Sequence, residues 1–400
     1  FAGAGYGVYS FTEPSAAYQQ TLGLANCAAM CGDPINTATG AYVYNHTDVK
    51  VPTRGIPLEF ERTYNSNDGS DGNLGFGWSY NWRTSANPLA NGNVVILQGD
   101  GRRDTFTLNP DGSYSPPPGR HDTLVKNPDG SYKLSTKDQI TYNFNSSNQL
   151  ASVTAENGQA TTLAYDANKR LTTITEPTGR TLGLAYNTEG RISQITDPAG
   201  NQVSFAYSPA GDLTSATDQN GGVTSFAYDS SHHITSVTDP GGHTSATNPY
   251  DGQGKVVAQT DADGKLTTFA YDDTNHKTTM TRRMDPNDSS KDEVAVFYYD
   301  SSYRLVRETD PYGKDTLHTY DAAGNRDTVT DRRGTVTKQI YDASGNITDI
   351  YKAYGAPEQE HTSYTYNARN HPLSRMDARG FTANYTYDAS GSFLTQAAYT

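Results

Sequence analysis

Nine histidines, two cysteines and a large set of aspartates are the residues of this chain whose types could do chemistry. A metal site needs several His, Cys or carboxylate ligands at fixed spacing. The histidines are scattered; His232-His233 and His243 stand beside turn sequences without such partners. No metal and no cofactor are therefore expected. Asp261-Ala-Asp-Gly264 opens like a calcium loop but lacks the downstream Glu and the twelve-residue frame, so it reads as a plain turn. Cys27 and Cys31 have no second pair to complete a zinc site, but they are a disulfide candidate if their Cα atoms approach within about 7 Å. Asn45, Asn145, Asn287, Asn346 and Asn384 stand in N-x-Ser/Thr acceptor sequences, which matter where exported proteins are glycosylated. No nucleophile, base or paired-carboxylate constellation stands out. The chain is not expected to be an enzyme.

The elements that carry these residues follow from composition and spacing. The chain has 400 residues and a net charge of −13, with 31 basic against 44 acidic groups. Counted with glycine in place of tyrosine, its apolar share is about 36%, against ~45–50% for an ordinary domain. Charge per residue is too small for disorder. Tyrosine supplies 29 of the aromatics, and a chain rich in Tyr, Thr, Asn, Asp and Gly reads as short strands and tight turns. The acidic balance argues against a nucleic-acid partner. No apolar run approaches the roughly 20 residues of a membrane helix.

A repeat settles the arrangement. Tyr142, Tyr165, Tyr186, Tyr207, Tyr228, Tyr250, Tyr271, Tyr299, Tyr320, Tyr341, Tyr366 and Tyr387 end successive strands, and seven of the eleven gaps between them are 21 residues. Asp or Asn follows each of these tyrosines except Tyr207. Turns such as Asp321-Ala-Ala-Gly324 come directly after the tyrosine, and turns such as Asp197-Pro-Ala-Gly200 half a period later. Asp, then Pro, then Gly at these offsets is what a type I turn asks for. The unit is therefore a β-hairpin repeated along one antiparallel sheet. In the second strand Val203, Phe205 and Tyr207 share a face, but in the first Ile192 and Ile195 are three apart. Either a bulge recurs in every unit or both faces carry apolar cover. Extra residues around Arg282–Asp292 and Ala353–Pro357 read as longer loops on one rim.

Residues 141–400 thus form the array and residues 33–140 a preceding β module. There Leu58, Phe60, Arg62 and Tyr64 alternate, and Gly75-Phe-Gly-Trp-Ser-Tyr-Asn-Trp82 clusters both tryptophans. These aromatics are expected to seal the first strand of the sheet as a terminal cap. Asn109-Pro-Asp-Gly-Ser-Tyr114 returns as Asn127-Pro-Asp-Gly-Ser-Tyr132, marking hairpins that lead into the array. Residues 1–32 form an extension. Phe1–Phe11 is a candidate exchanged strand or a flexible terminus, and Pro14–Cys31 a candidate short helix.

The unit Tyr-Asp-x-x-Gly-x-Ile/Leu-Thr-x-Val/Ile-Thr-Asp-Pro-x-Gly resembles the YD repeat of bacterial RHS proteins, insecticidal toxin-complex shells and teneurins. The run from Gly32-Asp-Pro-Ile through Glu61-Arg-Thr-Tyr64 to Gly75-Phe-Gly-Trp78 resembles the module that precedes RHS arrays. The resemblance implies an all-β strip spiralling as a hollow shell or tube wall, exported or displayed at the cell surface. It also implies that a cargo-bearing member ends in a self-cleaving core-associated segment. No such segment is read before Thr400, so toxin activity is not expected from this stretch.

Twelve hairpins at ~4.8 Å per strand give a strip of ~115 Å, which closed into a ring leaves a bore of ~27 Å. A 100-residue domain is ~34 Å across, so this length encloses no folded domain by itself. Three readings follow. The favoured one is an exported structural protein whose open sheet edges join copies into a shell, tube or fibre. The second is the N-terminal part of an RHS toxin cocoon, with the rest of a longer RHS chain as partner. The third is a carbohydrate-binding adhesin that displays its tyrosines.

Overall fold

The computed structural model describes residues 30–399 apart from Gly32 and Asp33. The expected disulfide depends on Cys27 and the exchanged strand on Phe1–Phe11, and both lie outside the described residues. The last two residues of the expected helix, Met30 and Cys31, form a short strand against Ile35–Asn36. Among the described residues the only helical element is a single 3-10 turn, Ser289–Lys291. The fold is otherwise all β.

A 26-stranded antiparallel sheet runs from Thr123–Lys126 to Leu394–Tyr399, each strand bonded to its neighbours in chain order. It begins two strands before the one that carries Tyr142. Consecutive strands run in opposite directions, so the turns that follow the repeat tyrosines line one rim and the Asp-Pro-x-Gly turns the other. Both longer loops, after Lys277–Arg282 and after Ile347–Lys352, fall on the second rim. Most turns are made the same way. Asp197 N–H bonds the Asn201 carbonyl at 2.9 Å, and Gly200 N–H returns to the Asp197 carbonyl at 3.0 Å. The Asp197 carboxylate accepts from the amides of Ala199 and Asn201. Gly200 has φ +88°, a conformation that glycine adopts without a Cβ clash.

The apolar pattern is resolved by a recurring bulge. Ala185 pairs with Gln194 but Tyr186 with Ile192, so Ser193 is an extra residue in its strand. The slip turns Ile192 and Ile195 to one face, where both are fully buried. The same shift precedes Tyr165, Tyr207, Tyr228, Tyr299, Tyr320, Tyr341, Tyr366 and Tyr387. Bulges increase local twist, and a strip bent once per repeat coils.

The coil closes on itself. His121 Nε2 meets Asn325 Oδ1 at 2.7 Å, Lys137 Nζ donates to the Gly345 carbonyl, and Asn370 Nδ2 donates to the Lys137 carbonyl. These pairs are 204, 208 and 233 residues apart. One turn of the coil therefore takes about twenty strands, or about 100 Å of path. The tyrosine rim of the second turn sits on the opposite rim of the first.

The preceding module has a three-stranded sheet, Val43–Val51, Leu58–Asn65 and Trp78–Tyr80, and a four-stranded sheet spanning Ser85–Ser115. It touches the strip from Asn148 and Gln149, which pair with Ala86 and Ser85, past Asn157, which bonds the Arg54 carbonyl, to Tyr299, which bonds Thr37. That is about fourteen strands, or ~65 Å of path, whereas a compact body of this size is ~29 Å across. Such a body reaches so long an arc only from the inside of the curve. The two tryptophans accordingly do not seal the first strand, as expected from their clustering. Trp78 lies on the face of the strands at Phe205 and Phe226, because the coil brings that face around the module.

Candidate functional site: the joint and the seam

Two contacts hold the molecule in this form, the joint between module and strip and the seam between turns of the coil. The joint starts from the strand Leu58–Asn65. Period-2 alternation puts Leu58, Phe60, Arg62 and Tyr64 on one face, and all four are buried. A cation there needs partners. Arg62 Nε donates to Asp48 Oδ2 at 2.8 Å. Its guanidinium carbon lies 5.1 Å from the Trp78 ring centre, 5.3 Å from Phe226, 5.8 Å from Phe205 and 6.0 Å from Tyr44. Nη1 and Nη2 have no hydrogen-bond acceptor; the negative faces of four rings take that role. Two rings come from the module and two from the strip.

Around this cage the polar tips of the aromatics are tied across the joint. Trp78 Nε1 donates to the Tyr228 hydroxyl at 3.0 Å, and Tyr228 donates in turn to the Leu213 carbonyl. Tyr64 donates to the His232 carbonyl and accepts from the Ile234 amide. The His232 ring stacks on Phe76 at 3.8 Å while its Nδ1 meets Asp212 at 2.7 Å. A Cβ on Gly75 would stand 2.6 Å from the Gly211 carbonyl oxygen, so glycine permits this approach. Burial raises the phenol pKa of Tyr64, Tyr207 and Tyr228. All three stay neutral donors at ordinary pH.

Ten of the twelve repeat tyrosines share one bond. Tyr165, Tyr186, Tyr207, Tyr228, Tyr250, Tyr271, Tyr320, Tyr341, Tyr366 and Tyr387 each donate to the backbone carbonyl that opens the preceding first strand. Tyr299 bonds Thr37 of the module instead, and Tyr142 packs against the core. Among the acceptor sequences, Asn45, Asn287 and Asn384 are exposed and Asn145 is half-buried. Asn346 is buried in the seam, where its Nδ2 donates to Asp342 and Asn370. Asp261–Gly264 is a turn closed by the Gly264 amide. His233 and His243 each face the Asp that opens their own turn. Among the described residues no three His, Cys, Asp or Glu side chains gather as a metal-binding group.

Sequence reasoning placed Arg62 on the apolar face of its strand without asking what pairs it, and it missed the seam altogether. The signal for the first was present, since a buried arginine on such a face requires an anion and ring faces. For the second there was none, because Glu156 and His371 meet only once the coil has closed.

The teneurin YD-shell family matches residues 131–340, and a domain of unknown function (DUF6531) matches residues 32–106. The "tRNA nuclease WapA" of Bacillus subtilis (strain 168) is 32% identical over 133 residues, which is 33% of this chain and 6% of that protein. The "Probable deoxyribonuclease RhsA" of Dickeya dadantii (strain 3937) is 34% identical over 104 residues, 24% of this chain and 7% of that protein. This chain therefore spans less than a tenth of the relatives it matches. Among solved structures, TcdB2-TccC3 without its hypervariable C-terminal region aligns with 92% of this chain and 26% of its own, at 11% identity and a TM-score of 0.41. With more than half its length matched by the family pattern, the chain is an RHS/YD-repeat protein and belongs to the teneurin YD-shell family.

Proposed function

We propose that this stretch is a non-enzymatic wall segment of an exported protein shell, with the module at residues 34–106 seated against the concave face of the coil. The observation that carries the reading is the seam. The strip bonds to itself about twenty strands on, so the wall closes within one chain and needs no second copy. The nuclease names of the relatives fit a shell whose activity lies in an enclosed polypeptide beyond the matched stretch. In this reading the wall protects and the cargo reacts. A second reading is edge-to-edge assembly of copies at the cell surface, which draws on the general tendency of open sheet edges to pair. Electron cryomicroscopy of the purified chain, with its mass measured in solution, separates the two. Monomers with a curved wall and the module on its concave face are expected. Filaments joined through the Leu394–Tyr399 edge would overturn the shell reading in favour of assembly.

A further inference from the structure

We propose that the seam carries a proton-operated latch formed by His371 of the second turn and Glu156 of the first. His371 Nδ1 lies 2.9 Å from the Gly391 carbonyl oxygen, and its Nε2 lies 3.2 Å from Glu156 Oε2 across the seam. Both neighbours are acceptors, and a neutral imidazole has only one N–H. When Nδ1 donates to Gly391, a neutral ring turns the Nε2 lone pair toward a carboxylate. The imidazolium has a donor at each nitrogen and satisfies both. Glu156 Oε1 is buried and accepts no hydrogen bond, so this carboxylate has anionic capacity to spare.

The groups around the pair are few. Arg369, in the same turn as His371, holds Nη1 3.9 Å from Glu156 Oε1 and opposes a second positive charge. Tyr387 stacks on the ring at 5.2 Å, with its hydroxyl committed to the Pro372 carbonyl. Lys137, from the turn below, is committed to the Gly345 carbonyl. Asp388, in the following turn, accepts from the Ser392 and Phe393 amides. Glu156 is thus the anion that faces His371. The seam's other histidine, His121, meets one acceptor, Asn325 Oδ1, which either ring form satisfies through Nε2–H.

The sign follows from the donors. The latch is complete where both ring nitrogens carry a proton and weakens as rising pH removes one of them. This behaviour belongs to the coil and does not depend on what a shell encloses.

Hydrogen exchange on the whole chain tests it, comparing about pH 8 with about pH 5.5 after correction for intrinsic rates. The amides of 367–371 and 155–159 are expected to be roughly fivefold or more better protected at the lower pH. The Asp197–Asn201 turn, which carries no histidine, is the internal reference and is expected to stay level. Glu156→Gln removes the anion and His371→Gln the titrating ring; each is expected to flatten the pH profile at the seam while the reference keeps its protection. A pH-independent seam in the native chain would overturn the latch. So would an unchanged profile in Glu156→Gln, which differs from the native side chain by one atom and leaves His371 in place.

Discussion

At the residue scale, the turns expose a cost that the repeat tolerates. Gly200 has φ +88°, with nothing within 4 Å of where a Cβ would stand. Gly200→Ala therefore adds backbone strain without a clash, and a loss of about 1 kcal/mol is expected in the stability of its hairpin. Lys169 holds the same slot in its own turn at φ +63°. Lys169→Gly is expected to gain roughly 0.5–1 kcal/mol by relieving that conformation. Urea titration of the two variants, read by local exchange, checks both signs. Arg62 is a harsher case. Arg62→Ala leaves Asp48 buried without its cation and opens the ring cage, for an expected loss of ~3–5 kcal/mol. Pairing Arg62→Met with Asp48→Leu removes both charges and is expected to restore most of it. A double variant no more stable than the single one would mean that packing around the rings, and not the stranded carboxylate, sets the loss.

At the element scale, the tyrosine is the repeat's clasp. Tyr186 donates to the Leu171 carbonyl at 2.7 Å, and Tyr186→Phe leaves that half-buried oxygen without its donor. A cost of about 1 kcal/mol is expected, confined to the neighbouring repeats because a linear array is stabilised by nearest-neighbour contacts. Exchange spreading evenly over the whole strip would contradict that confinement. The hairpin itself was legible in the sequence, because Asp, Pro and Gly act within four residues. The bulge at Ser193 was half legible: the spacing of Ile192 and Ile195 required a choice, and only the register made it. The array also changes character along its length. Positions filled by Ile195 and Phe205 under the module are filled by Glu308, His318, Gln339 and Arg375 farther on, where the face is only partly covered.

At the scale of the whole molecule, two sets of titrating groups bound the stable pH range. Backbone amides hold the carboxyls of Asp166, Asp239, Asp331 and Asp388 below the usual carboxylate range. Such groups stabilise the fold above the unfolded value near 3.9 and lose that contribution as pH falls through the lower folded value. Burial pushes the phenols of Tyr165, Tyr186, Tyr207, Tyr250 and Tyr271 up. Their contribution is complete below about pH 10 and is lost above it. The melting temperature is therefore expected to fall below about pH 4 and again above about pH 10. On the alkaline side tyrosinate absorbance should rise together with loss of the sheet. Phenols that ionised while the sheet stayed intact would contradict this. The coil's closure and the module's place against its concave face were beyond sequence reasoning. They join residues up to 233 apart, through side chains that look like ordinary turn residues wherever they are read singly.

The module's position has a consequence for the order in which the molecule can be made. Trp78 and Arg62 need Phe226, and Tyr64 needs His232, 168 residues farther along. At about 5–20 residues per second of synthesis, that is a delay of roughly 8–35 s during which the joint's aromatics have no strip to meet. Each hairpin can form as soon as it emerges, because its contacts are local. The module is thus made before the hairpins it contacts, and a strip already bent by its own bulges closes onto a body that precedes it.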